Sequence, residues 1–185
     1  MEESQEEMLE EYREYLLELA NNKSEEIFTN GGLSHASILM SVLLSQTNNK
    51  ACFFSEGFSS EVIREPYLSA LKSLLNKKNI EIKILLESDA YINENPMALI
   101  RHERDCRTKE QGAIEVRLIK EEDKKHIYNE LKCERCNFSV FDQNMCRFEY
   151  DPQYFKAYGS FNNTANSKFL CNLFDKAFQA ATVIN

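Results

Sequence analysis

Asn144-Met145-Cys146-Arg147-Phe148-Glu149-Tyr150-Asp151, then Pro152-Gln153-Tyr154, then Phe155-Lys156-Ala157-Tyr158-Gly159-Ser160-Phe161-Asn162-Asn163-Thr164, is the stretch on which the fold turns. Cys146, Phe148 and Tyr150 alternate with Arg147 and Glu149, and a period of two predicts a half-buried strand. Asp151-Pro152-Gln153 is turn chemistry, because proline fixes φ and aspartate bonds nearby backbone. Phe155 to Phe161 reads as a second strand, ending in a polar corner that opens a helix. Two readings of that corner stand side by side. In one, it caps the helix and Arg147 pairs with a carboxylate. In the other, Ser160, Asn162 and Asn163 present donors to a phosphate, with Arg147 and Lys156 supplying charge.

Working outward, residues 138–141 form a strand that turns through Asp142-Gln143-Asn144 into the 145–150 strand as a hairpin. Upstream, Ile80 to Leu86 is β-branched and alternating, the clearest strand in the chain. Ala51 to Ser55 is a short apolar run of buried-strand type, and Pro66 opens a helix through Leu68, Leu71, Leu74 and Leu75. Strand, helix and strand at this spacing predict a right-handed βαβ unit with parallel strands. Ala113 to Ile119 is a further strand and Glu121 to Leu131 a helix. A last helix, about 166–181, buries Phe169, Leu170, Leu173, Phe174, Ala177 and Phe178. Residues 5–21 place Met8, Leu9, Tyr12, Leu16, Leu19 and Ala20 on one face, either a surface helix or a docking helix for a partner. Asn30-Gly31-Gly32 breaks the chain, and Ser34 is positioned to cap the helix through Ile38, Leu39, Val42 and Leu43. The expected organisation is an N-terminal amphipathic helix over residues 1–24 and a single domain over 25–185. Its fold class is α/β, a mixed sheet flanked by helices on both faces.

The corner Gly159-Ser160-Phe161-Asn162-Asn163-Thr164 resembles the Gly-Ser-x-Asn-x-Thr signature that follows the His-x-Lys-x-x-x-x-Asp motif in the phospholipase D-like superfamily. Asp151 falls about where that motif's aspartate belongs, which puts Asn144 and Cys146 at its histidine and lysine positions. Taking Asp142 as the aspartate instead puts Arg135 and Asn137 there. The resemblance implies one half-domain of that fold, and single-copy members commonly pair as homodimers with two signatures meeting at a two-fold axis. Cleavage in the superfamily uses a histidine nucleophile, a second histidine as acid, and lysines that hold the phosphate charge. Neither register supplies them, and the amide nitrogen of Asn144 has no available lone pair with which to attack. Cys146 attacks only as a thiolate. The three histidines, His35, His102 and His126, sit in no His-x-Lys arrangement. The resemblance therefore implies a non-catalytic regulatory or scaffold subunit with a protein partner, as in bacterial nucleic-acid processing or phage defence. A phosphate- or nucleic-acid-binding module and a divergent phosphodiesterase are the alternatives.

Composition sets outer bounds. Hydrophobic residues are 43% of 185, with 12 Phe and 8 Tyr, enough for a packed core. A net charge of −8 argues against wholesale coating of nucleic acid. Arg101, His102, Arg104, Arg107 and Lys109 nonetheless gather positive charge, and Arg101, Arg104 and Arg107 are candidate nucleic-acid contacts, with a solvated loop as the plain alternative. No run of 18 apolar residues is present, and the acidic start is unlike a secretory signal, so the expected location is the cytoplasm, with no membrane partner. Six cysteines then read as reduced thiols. Cys133-x-x-Cys136 lacks the second close pair that structural zinc uses, so no metal and no cofactor are expected.

Overall fold

The computed structural model describes residues 4–184, the side chain of Lys109 excepted. In chain order these form α1 (Gln5–Asn21), β1 (Phe28–Asn30), α2 (Leu33–Gln46), β2 (Lys50–Ser55), α3 (Tyr67–Leu75), β3 (Glu81–Leu86), α4 (Met97–Cys106), β4 (Ile114–Leu118), α5 (Glu121–Leu131), β5 (Asn137–Phe141), β6 (Met145–Asp151), β7 (Lys156–Ser160), α6 (Thr164–Ala180) and β8 (Thr182–Val183). All the strands join one mixed sheet in the order β1-β7-β6-β5-β2-β3-β4-β8. β2, β3 and β4 run parallel, as strand–helix–strand units require. β5 then pairs antiparallel with β2, and the expected β5–β6 hairpin leads on through β7 to β1.

Helices cover both faces. Leu16 and Leu19 of α1, Leu39 and Leu43 of α2, Leu71 of α3 and Ile100 of α4 share one apolar layer with Ile82 and Ile84. On the other face Ile127 of α5 and Leu170, Phe174 and Phe178 of α6 pack on Cys52, Phe54, Phe138, Val140 and Cys146. Each such side chain removed from water contributes about 1.5–3 kcal/mol. α1 begins with a reciprocal cap in which Ser4 Oγ accepts the Glu7 N–H and Glu7 accepts the Ser4 N–H.

Three expectations need correction, and two short strands went unread. β6 is not half-buried, because helices lie over both its faces and Arg147 and Glu149 are each only 6% exposed. Ser34 does not cap α2, which begins at Leu33 behind Gly32, whose φ of 93° needs a residue without Cβ. Phe169 and Met8 are exposed, lying at the margins of their helices' apolar stripes. β1 and β8, three and two residues long, are too short to carry a period.

The β5–β6 turn is locked from within. Asp142 adopts φ 53°, and its carboxylate accepts the N–H groups of Asn48, Asn49 and Lys50 at 3.1, 2.7 and 3.0 Å. These consecutive amides form an anion-binding nest that the protein fills with its own carboxylate. Asp142→Ala removes all three bonds and leaves a β-carbon in the left-handed region, so we expect a loss of about 2 kcal/mol by urea denaturation. Asp142→Asn, which tolerates that backbone, should lose less.

Candidate functional site

Three elements meet where the parallel strands end. Ser55 closes β2, and residues 56–63 loop away from it. β5 starts nearby at Asn137, and β6 leaves toward its turn at Pro152. α2 lies across the gap. Together they enclose a cavity of about 280 Å³, at the carboxyl end of the parallel strands where ligands bind in open α/β sheets.

Arg147 and Glu149 point into it from alternate positions of β6. Arg147 Nη2 donates to Glu149 Oε1 at 2.6 Å, with both side chains at most 8% exposed. Arg147 Nε donates to Asn30 Oδ1 at 3.4 Å, and Asn137 Nδ2 donates to Glu149 Oε2 at 2.6 Å. Asn137 Oδ1 in turn accepts the Glu56 N–H at 3.1 Å. Asn30 Nδ2 holds the hairpin tip by donating to the Phe155 carbonyl at 2.5 Å. Ser139, opposite both Arg147 and Phe53 in the ladder, lies on the same wall. Tyr67, the first residue of α3, adds its phenol; burial pushes the pKa of that hydroxyl up, with Arg147 opposing, so it stays a donor. Arg135 pairs with Glu56, and both also line the cavity. Tyr91 closes another side, its ring lying where a Cβ on Gly57 would stand.

The sequence-predicted residues divide. Arg147 lines the cavity and takes the carboxylate partner that the plainer reading gave it. Asn163 caps α6, its Oδ1 accepting the Asn166 N–H at 3.0 Å. Ser160 Oγ accepts the Asn162 N–H at 3.2 Å and donates to the Ser24 carbonyl at 3.5 Å. Asn144 closes the corner from the other side, accepting the Asn163 N–H at 2.7 Å and donating to the Phe161 carbonyl at 3.3 Å. A Cβ at Gly159 would run into the Cys146 carbonyl and the Phe28 ring. Close packing is thus reason enough for that glycine. Lys156 is half exposed, 3.9 Å from Asp151 and over the Tyr154 ring.

Cys146 faces away from the cavity, into the α6 layer, where burial raises its pKa. Arg147, of the opposite parity, stands opposite Gly159, and a bulge at Glu149–Asp151 lets Asp151 pair with Lys156.

The basic cluster on α4 is held by backbone. Arg107 donates to the carbonyls of Leu75, Gln111 and Gly112 at 2.8, 2.8 and 3.0 Å, and burial lowers its pKa. Arg104 donates to the Ile184 carbonyl at 2.7 Å and pairs with Asp105, while Arg101 donates to Asn93 at 3.3 Å. The Lys109 side chain lies outside the described residues. Cys133 and Cys136 are free thiols, both with pKa values raised by burial. Among the described residues no three His, Cys, Asp or Glu gather as metal ligands, and no helix is long and apolar enough to cross a membrane. Sequence reasoning missed Glu149, Asn137, Ser139, Tyr67 and Asn30. One signal was present: Arg147 and Glu149 share parity between apolar neighbours, which buries a charge pair if both faces are covered.

No family model matches this sequence, and the comparison with curated proteins finds no match. Solved structures do match. TrmBL2, an archaeal chromatin protein whose structure shows a novel mode of DNA binding, superposes with a TM-score of 0.60 at 12% identity, over 97% of this chain and 62% of that one. This chain therefore spans less than two thirds of the archaeal protein. Nuc, a phospholipase D family member from Salmonella typhimurium, gives 0.56 at 10% identity over 86% of this chain and 99% of its own. NucT from Helicobacter pylori gives 0.55 at 11% identity, over 86% and 100%. At such identities the likeness is one of architecture, and the chain has the phospholipase D-like α/β fold.

Proposed function

We propose that this chain is a non-catalytic phospholipase D-like domain that works by association, as a homodimeric regulatory or scaffold subunit with a protein partner in nucleic-acid machinery. One observation carries the reading. Among the described residues lining the cavity there is no histidine, lysine or cysteine, and the buried cation Arg147 is neutralised by Glu149. Phosphoryl transfer in the superfamily needs a nucleophile and unspent positive charge. On this reading Asn144 and Cys146 are relics of a catalytic pair, now absorbed into the corner and the α6 layer.

A specific surface favours nucleic acid as what is bound. Tyr150, Tyr154 and Tyr158 on the β6–β7 hairpin are 47%, 58% and 36% exposed. Tyr150 and Tyr158 stack at 6.3 Å, and Lys156 Nζ sits 5.4 Å above Tyr154. Exposed rings interleaved with a cation are what sequence-tolerant single-strand binding uses. Arg107, Arg104 and Arg101 hold α4 and its loops in place, so they contribute field more than contacts. The likeness to the archaeal chromatin protein, with its novel mode of DNA binding, supports the same direction.

The test has two arms. Light scattering of the purified chain with bis(p-nitrophenyl) phosphate turnover should give a dimer and no hydrolysis above the uncatalysed rate. Anisotropy of a labelled single-stranded oligonucleotide should show binding that weakens between about 50 and 200 mM salt and falls about tenfold in Tyr154→Ala. Diester hydrolysis would overturn the non-catalytic reading; salt-independent or absent binding would overturn the nucleic-acid one.

A further inference from the structure

We propose that Cys171 is a site of reversible oxidation by hydroperoxides, with Cys52 as the thiol that closes a disulfide between α6 and β2. The placement follows from two periods that meet. Lys50 and Cys52 stand two apart on β2 and so share a face, the one that α6 covers. Cys171 and Asp175 stand four apart on α6 and share one side of that helix. Lys50 Nζ lies 3.5 Å from Asp175 Oδ1, and Cys171 Sγ lies 3.5 Å from Asp175 Oδ2. The Cys52 and Cys171 thiols hydrogen-bond to each other. Burial separates their roles. Cys52 is 1% exposed, whereas Cys171 is half-buried and within reach of a small oxidant.

The groups around the pair favour a thiolate on Cys171. The bond donated by Cys52, helped by the Lys50 ammonium, lowers the Cys171 pKa against burial and the Asp175 carboxylate. Cys52 moves the other way, raised by the same bond and by burial. Glu81 completes the ring of charge, 3.8 Å from Lys50 and paired with Lys83. Cys133 and Cys136 form another adjacent pair, but burial raises both, so neither is a ready thiolate. An accessible thiolate beside a second thiol is the arrangement of oxidation-sensitive cysteines. The Cys171 thiolate attacks one peroxide oxygen; the O–O bond breaks, hydroxide or alkoxide leaves, and Cys171 becomes a sulfenic acid. The Cys52 sulfur then attacks the sulfenic sulfur. The S–S bond forms as S–O breaks, and the departing hydroxide takes the Cys52 proton to become water. Two electrons pass from the two sulfurs to the peroxide.

This site lies on the α6 side of the sheet, away from the cavity, and its test does not depend on nucleic-acid binding. The full chain, reduced and freed of reductant, is treated with hydrogen peroxide and mapped by mass spectrometry of unreduced peptides. A disulfide joining the Cys52 and Cys171 peptides, reversed by dithiothreitol, is the expected product. In the reduced protein, iodoacetamide at pH 7 should alkylate Cys171 about threefold or more faster than the exposed Cys106. Cys52→Ser should halt oxidation at a Cys171 sulfenic acid that dimedone traps. Lys50→Met should slow Cys171 alkylation about threefold, and it decides the matter if the buried Cys52 variant melts early. Cys171 left reduced by peroxide, Cys133 and Cys136 joined in its place, Cys106 alkylated ahead of it, or Lys50→Met without effect would each overturn the assignment.

Discussion

Arg147→Met should lower the unfolding free energy by about 3–5 kcal/mol, one of the two largest single-residue effects expected in this chain. The reason is not the strength of the ion pair. Arg147 and Glu149 have been taken out of water, at a cost that their mutual attraction roughly offsets. Removing the arginine leaves Glu149 as a buried anion with Asn137 as its remaining hydrogen-bond partner. Hence the double change Arg147→Met with Glu149→Gln should recover more than half of the loss. Glutamine carries no charge to desolvate, and its carbonyl can still accept from Asn137. Urea denaturation of the parent, both single variants and the double variant closes the cycle. A single variant within about 1 kcal/mol of the parent would mean that water reaches Glu149 through the cavity mouth, and that the pair does not hold β6 to its neighbours.

The contrast between what the chain announced and what it hid follows from the range of the interactions. The β2–α3–β3 unit, the β5–β6–β7 hairpins and α6 were readable, since period and turn chemistry act within a few residues. Asp142 shows the same thing at a turn: its type and place were legible, while the three amides it binds lie more than 90 residues away. The site was harder. Whether Arg147 faces solvent or interior depends on a second layer of helices, and α2 stands about 100 residues upstream. A bulge at Glu149–Asp151 also shifts the pairing of the strand's end by one residue, so that Asp151 pairs with Lys156. Spacing within a strand predicts parity only as far as the next irregularity.

The burial of Cys146 yields the other large expectation. If the motif's lysine position is taken from spacing, restoring it means Cys146→Lys, and the fold should reject it by about 4 kcal/mol or more. Cys146 is 3% exposed and packs in the layer of Phe54, Phe138, Phe148, Leu170 and Phe174. A lysine there brings extra methylenes into a filled layer and an ammonium with three donors. The buried hydroxyl of Ser167 beside it could satisfy at most one or two of them. The stem cannot reach the cavity, because Arg147, its neighbour on the strand, points through the opposite face. Cys146→Lys together with Asn144→His should therefore give a destabilised protein with no phosphodiester turnover, whereas Cys146→Ala should cost about 1–2 kcal/mol and leave the cavity unchanged. Stability by urea denaturation, with turnover measured on the fraction that remains folded, separates the two possibilities. A well-folded lysine variant that cleaves diester would show that a side chain at position 146 reaches the cavity and is not confined to the α6 layer.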